Sequence, residues 1–318
     1  MIPPLLDVQS LCVDYVTDDG PVRAVDEVSL QVGVGEVLGL AGESGSGKST
    51  LAQAVMRLLP PPGVITGGRV LLEGVDLLGL DEDALRKVRW RRVSMVFQSA
   101  LDALNPVLSI GEQLEDALVA HAVAKGRGAR DQAASLLEMV ALPLEVLEKF
   151  PHQLSGGMRQ RVGIAMALAL EPAVVLLDEP TTALDVIVEQ EILAQLLELK
   201  AQRGFSMVFI THDLGRMLQV CERIGVFYSG RLVELASASE LRAAPRHPYT
   251  QGLLRAFPSM EGRLEDRVGI PGTAPSLRAP PPGCRFAPRC PHAMERCRVE
   301  SPRLVDGVAC FLHERTDV

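Results

Sequence analysis

Short apolar runs alternate along this chain with longer stretches of helical spacing. Each run stops at a residue with a different job. Val37-Leu38-Gly39-Leu40-Ala41 leads into glycines, and Val93-Ser94-Met95-Val96-Phe97 stops at Gln98. Val174-Val175-Leu176-Leu177 stops at Asp178-Glu179, and Met207-Val208-Phe209-Ile210 at Thr211-His212. Such runs are of strand length. Helical spacing appears from Thr50 to Leu59, where Pro60-Pro61-Pro62 halts it, then from Ile110 to His121, Ala129 to Val140, after Gly157, and from Val188 to Arg203. Strands alternating with helices predict a mostly parallel sheet with crossover helices.

Three departures from that alternation suggest subdivisions. Residues 5–40 are β-rich, with a turn signal at Asp18-Asp19-Gly20-Pro21. The helical block from about 100 to 170 reads as an insertion into the α/β core. Residues 271–291 are dense in proline, which excludes a long helix or a central strand. That tail shows little apolar pattern of its own, so a metal centre is a candidate staple. The expected division is 1–98 with 171–245 as core, 99–170 as helical subdomain, and 246–318 as C-terminal extension.

Composition narrows the classes. With 318 residues and 47% hydrophobic content the chain can bury a large α/β core. A net charge of −8 argues against a nucleic-acid binder, which needs a basic footprint. No run approaches the roughly 18 apolar residues of a membrane span, and no secretory signal is visible. A membrane role would therefore act through partner subunits.

The chemistry sits where the runs end. Gly42-Glu43-Ser44-Gly45-Ser46-Gly47-Lys48-Ser49-Thr50 lies between strand and helix, the context a phosphate loop requires. Its backbone N–H groups can cradle phosphate oxygens, Lys48 can reach the β- and γ-phosphates, and the Ser49 hydroxyl can ligate Mg²⁺. Asp178 suits Mg²⁺, and Glu179 suits a general base polarising the attacking water. Gln98 can sense both the metal and that water, and His212 can bond the γ-phosphate. Each of these is weak alone; a strand-end histidine or a loop glutamine is usually structural.

Leu154-Ser155-Gly156-Gly157-Met158-Arg159-Gln160 is a second anion-binding loop at a helix start. Ser155 as a plain N-cap is the ordinary alternative. One phosphate loop already serves this chain's nucleotide, so the second would serve a nucleotide held by another protomer.

Of six cysteines, Cys12 and Cys221 read as buried thiols, while Cys284, Cys290, Cys297 and Cys310 cluster near the end. Their spacing matches neither paired C-x-x-C zinc sites nor the tight ferredoxin run. Four thiolates can still enclose a [4Fe–4S] cluster or a tetrahedral Zn²⁺. Arg285, Arg289, Arg296 and Arg298 lie among them and are expected to stabilise thiolates. His292 and His313 read as solvated loop residues.

These motifs, with Ala183-Leu184-Asp185, resemble in order those of the ATP-binding subunits of ABC transporters. The resemblance implies a phosphate-loop nucleotide-binding domain with a β-rich N-terminal subdomain, a helical insertion and a small irregular C-terminal extension. It implies a head-to-tail dimer with ATP sandwiched between protomers. Leu154, Ser155, Gly156, Gly157, Gln160 and Asp185 would then act in trans, and Tyr15, otherwise a strand residue, would stack on adenine. The tail from His247-Pro248-Tyr249-Thr250 to Val308-Ala309-Cys310 is similar to the D-type subunit of oligopeptide/dipeptide importers. That similarity favours the iron–sulfur centre and implies two membrane permeases, a second copy or a paralogous ATPase, and indirectly a solute-binding protein. It places the chain peripherally on the cytoplasmic face of the membrane. A nickel or other small-solute importer, and a soluble ABC ATPase acting on nucleic acid or the ribosome, are the alternatives.

Overall fold

The structure is a computed structural model that describes residues 3–98, 103–182, 184–256 and 269–314. The chain divides into two compact units: Met1–Leu5, Val32–Glu36 and Gly79–Val208 form one, and Leu6–Gln31, Val37–Leu78 and Phe209–Val318 the other.

In the first unit, strand Val174–Asp178 lies between Val93–Val96 and Ser206–Ile210. Val93–Val96 runs parallel to it, in register from Val93↔Val174 to Val96↔Leu177. All three strands are fully buried, which explains why they read as continuous apolar runs and not as alternating ones. Helices Ile110–Ala120, Arg127–Met139, Gly156–Leu168 and Val186–Arg203 follow the periodic stretches to within three residues of the expected ends. Ser109 and Glu112 form a capping box at the start of Ile110–Ala120. Leu114, Leu118, Ala133, Leu137 and Val146 pack the helical block.

The second unit carries a four-stranded sheet in the order Gly20–Val32, Leu6–Thr17, Gly63–Leu72, Val75–Asp76. Leu6–Thr17 and Gly63–Leu72 pair antiparallel from Leu6↔Leu72 to Tyr15↔Gly63. Strand Val37–Ala41 pairs parallel with Arg223–Tyr228, which forms a hairpin with Arg231–Ser237. Ser229 (φ 46°) and Gly230 (φ 84°) make the tight reversal, the sign of φ that a two-residue hairpin turn needs. The helix after the glycine loop runs Lys48–Val55, ending short of Pro60. Arg57 already stands at φ 52°, which no helix continues.

The proline-rich tail contains no long helix among its described residues, only Glu295–Val299 and short 3₁₀ turns. Its buried apolar residues lie against the hairpin rather than in a core of its own. Phe286 is 2% exposed and packs edge-on to Tyr228, with ring centres 5.2 Å apart. Leu235 N–H donates to the Gly307 carbonyl (2.8 Å) and Ala309 N–H to the Val233 carbonyl (2.9 Å), so the tail clips onto the hairpin strand.

Candidate functional site

The glycine loop of the second unit is wound tightly. Gly42 has φ 146° and Gly47 φ 104°. A Cβ at Gly42 would run into the Phe227 carbonyl, and one at Gly47 into the Ala24 carbonyl, so glycine is required twice over. Lys48 is 5% exposed, and its ammonium donates to the carbonyls of Gly42 and Glu43 (2.9 Å each) and to Ser46 Oγ (3.1 Å). Three oxygens thus compensate a buried charge at the mouth of the loop. Ser49 is the second residue of the helix, and the Tyr15 hydroxyl lies 3.4 Å from Thr50 Oγ1. Ser44 and Gly45 are exposed on the loop's outer turn. His212, also in this unit, is exposed just beyond strand Ser206–Ile210.

In the first unit, Asp178 ends its strand 3% exposed, and Glu179 follows half-buried at φ 45°. A non-glycine residue at positive φ costs about 1 kcal/mol or more and concentrates at functional positions. Glu179 Oε2 accepts from Gln98 Nε2 (2.9 Å) and from Thr182 Oγ1 (2.9 Å). The structure therefore brings together two residues separated by 81 positions that sequence reasoning had assigned to the same water.

The same unit holds the second anion loop. Ser155 caps helix Gly156–Leu168, accepting from Met158 N–H at 3.3 Å, so the ordinary N-cap role is real. Ser155, Gly156, Gly157, Leu184 and Asp185 all line one open surface pocket of about 580 Å³. Asp185 caps the next helix through Ile187 and Val188 N–H. Val186 and Ile187 beside it are 61% and 70% exposed. Leu154 and Gln160 are buried instead, at 3% and 5%. Gln160 Nε2 is buried without a hydrogen-bond partner among the described residues. Ala183 and residues 99–102 lie outside the described residues.

Cys284, Cys290, Cys297 and Cys310 line one small cavity with His247 and His292. That is the donor set a four-thiolate centre needs. Among the described residues, however, no group of three or more His, Cys, Asp or Glu side chains is placed to hold a metal ion. The arginines do not serve the thiols. Arg285 reaches Asp26, Arg289 reaches Glu43, Arg296 reaches Glu300 and Glu314, and Arg298 lies 3.9 Å from Glu295. Burial pushes the Cys284 thiol up to about 11 and raises Cys290 and Cys310 as well, the opposite of the expected thiolate stabilisation. His292 and His313 are exposed, the latter against the Arg246 carbonyl (2.9 Å). Cys221 is buried as expected, but Cys12 is only half-buried, at a register shift of its strand.

The sequence reading missed the anchors of the glycine loop. Tyr249 and Arg289, from the C-terminal part of the chain, both bind Glu43. The only hint in the sequence was their place in His247-Pro248-Tyr249-Thr250 and beside Cys290.

Residues 25–182 match the ABC transporter family model, and residues 233–297 match the oligopeptide/dipeptide transporter C-terminal region. A dipeptide transport ATP-binding protein of Caldanaerobacter subterraneus subsp. tengcongensis is 42% identical over 98% of this chain and 97% of its own. An oligopeptide transport ATP-binding protein of Bacillus subtilis is 43% identical over 92% of this chain and 82% of its own. Among solved structures, a dimeric ATP-binding cassette in a post-hydrolysis state with ADP and Pi superimposes with TM-score 0.67 at 31% identity, covering 73% of this chain and 98% of that one.

Proposed function

The chain belongs to the ABC transporter ATP-binding subunits of the dipeptide/oligopeptide type, and from that premise we propose how its residues divide the work of hydrolysing ATP. It is an ATPase that energises import of di- and oligopeptides, and its family works with membrane permeases and as a dimer. Among the described residues no helix is long and apolar enough to cross a membrane, so association with the membrane runs through those permeases. The cytoplasmic face, a solute-binding protein outside, and a paralogous ATPase or second copy as dimer partner complete the proposal.

Residues Gly42–Thr50 take the phosphates of this chain's ATP, Lys48 the β- and γ-phosphates, and Tyr15 the adenine. Glu179 is the general base, with Gln98 orienting the water and His212 bonding the γ-phosphate. Ser49, Gln98 and Asp178 offer an all-oxygen donor set, which suits Mg²⁺. The metal supplies charge neutralisation on the phosphates. Catalysis by such parts is mostly positioning and electrostatics.

One observation carries the shared-site reading. Ser155, Gly156 and Gly157, at the start of a helix, line an open pocket together with Asp185, flanked by the exposed Val186 and Ile187. An anion site open to solvent beside exposed aliphatics suits a surface completed by a second protomer. Leu154 and Gln160 would support that surface from below.

For the tail we infer that Cys284, Cys290, Cys297 and Cys310 are the donors of a [4Fe–4S] cluster, with Zn²⁺ as the alternative. The shared cavity supports this; no step of hydrolysis is derived from it. We further propose 99–170 as the helical subdomain that passes motion to the permeases and 246–318 as the importer-type extension.

Co-expression with candidate permeases tests the assignment. Co-purification of the chain with two peptide permeases, and ATP-dependent peptide uptake by the complex, is the expected result. Uptake of a metal ion in place of peptide would reassign the importer.

A further inference from the structure

Glu43, the second residue of the phosphate loop, has no part in the hydrolysis chemistry above, yet two anchors from the C-terminal part of the chain end on it. Its backbone N–H donates to the Tyr249 hydroxyl at 3.0 Å. Its carboxylate accepts from Arg289 Nη1 at 3.0 Å. Arg289 is held on every side: Nη1 is also 3.3 Å from the Tyr228 hydroxyl, while Nε donates to the Pro271 carbonyl (2.9 Å) and Nη2 to that of Ile270 (3.4 Å). Its side chain is only 6% exposed. A guanidinium so buried needs its carboxylate, because a broken pair leaves an uncompensated charge inside the protein. Burial alone would lower its proton affinity, but the bonds from Glu43 and Tyr228 leave it raised.

Tyr249 is equally fixed. It has no exposed surface, and its ring centre lies 4.6 Å from that of Tyr228 and 5.4 Å from that of Phe286. A second strut runs alongside. Arg285 binds Asp26 at 2.6 Å and donates to the Ser229 carbonyl, and the neighbouring Gly230 N–H donates to the Ser46 carbonyl of the loop at 2.8 Å. Both arginines of the segment between Cys284 and Cys290 therefore bear on the phosphate loop, one directly and one through a single turn.

The loop needs such support. Gly42, Gly45 and Gly47 all stand at positive φ, and glycine loses more conformational freedom on ordering than any other residue. A loop held by outside anchors pays that entropy before the nucleotide arrives.

We propose that Arg289, seconded by Tyr249, is a positioning residue for ATP binding. It holds Glu43, and through it the phosphate-facing backbone N–H groups, so the C-terminal extension is a working part of the nucleotide site. This rests on Gly42–Thr50 being the loop that takes the ATP phosphates.

The test uses the full-length chain and a fluorescent ATP analogue with Mg²⁺, reading Kd, the KM and kcat of hydrolysis, and Tm without nucleotide. Arg289→Met should raise Kd and KM about tenfold, as for loss of a charged hydrogen bond, with the effect concentrated in KM. Arg289→Lys should recover part of it. Arg289→Met combined with Glu43→Gln should bind no more weakly than Arg289→Met alone, since both act through one contact. Tyr249→Phe keeps the ring in the core and removes only the hydroxyl, so it serves if the arginine variants fail to fold; its Kd should rise about threefold or more. Unchanged Kd in Tyr249→Phe, or Arg289→Met with lowered Tm but unchanged Kd and KM, overturns the proposal and leaves the tail a staple. Lys48→Ala separates the premise: if it binds the analogue like the wild type, the loop assignment falls and not merely the role of Arg289.

Discussion

Gln98 donates through Nε2 to Oε2 of Glu179 at 2.9 Å, and Thr182 reaches the same oxygen at the same distance. Two donors aim one carboxylate from a residue held at φ 45°. Nothing in the packing of the strand demands that geometry, because strand Val174–Asp178 has already ended. A strained, doubly oriented carboxylate beside a buried aspartate is what a base for a positioned water requires.

Replacing Glu179 by Gln keeps the size and the Thr182 donor but removes the base. Turnover should fall by on the order of 10²–10³ or more. ATP affinity should stay within about threefold, and the ATP-bound dimer should persist on size exclusion. Steady-state ATPase assays check this, and full activity would defeat the assignment.

Gln98→Ala removes one orienting donor and leaves the base. The expected effect is a fall in kcat of about tenfold or more with little change in KM, because an orienting bond to the base matters in the transition state and not in ground-state binding. An equal rise in KM with unchanged kcat would mean that Gln98 only helps hold nucleotide.

Ser155 has two roles that a single variant confuses. Ser155→Ala loses the N-cap, worth about 1 kcal/mol, and the hydroxyl together. Ser155→Asn restores a good cap, so Tm should recover. ATPase activity should not recover if the hydroxyl serves a partner's ATP. Recovery of both would reduce Ser155 to a cap.

Stability should depend on pH through Asp14. Hydrogen bonds from Arg23 pull its carboxyl below the usual range; burial opposes this and Thr66 assists. The folded state therefore binds the proton less readily than the unfolded one. The stabilisation is complete above the ordinary carboxylate value and is lost as pH falls below it. Asp14→Asn should lower Tm at pH 7 by an amount corresponding to about 1–2 kcal/mol, discounted for the partly exposed Arg23, and should flatten the acid side of the stability curve. Thermal melts across pH 3–7 check it.

Metal content decides the tail. Anaerobically purified chain should contain iron and acid-labile sulfide in equal amounts, and Cys290→Ser should lose both. Zinc without sulfide would favour the alternative, and neither would leave four unligated thiols.

Much of this was legible because the chemistry sits where apolar runs end. Val174–Leu177 and Val93–Val96 read as strands because continuous apolar runs suit strands buried on both faces, and the glycines after Val37–Ala41 fix the loop that leads into helix Lys48–Val55. Ser155 was legible as a cap as well as a ligand, whereas the cap that Asp185 makes on helix Val186–Arg203 was not. What the sequence hid was long-range. Arg285 and Arg289 stand beside cysteines in the chain, so their charge was read as serving thiols. In the fold they turn towards Asp26 and Glu43, more than 240 residues away, because a buried guanidinium follows the carboxylate and not its sequence neighbours. The same docking buries Phe286 of the proline-rich tail against Tyr228, which no local periodicity could show.

The most direct test of the account is ATP-dependent uptake of a labelled dipeptide by vesicles carrying the assembled importer. With the wild-type chain, uptake should proceed and stop when ATP is withheld; with Glu179→Gln in both ATPase positions it should be absent although ATP still binds. Peptide uptake at the wild-type rate with that variant, or a wild-type assembly that hydrolyses ATP without moving peptide, would contradict it.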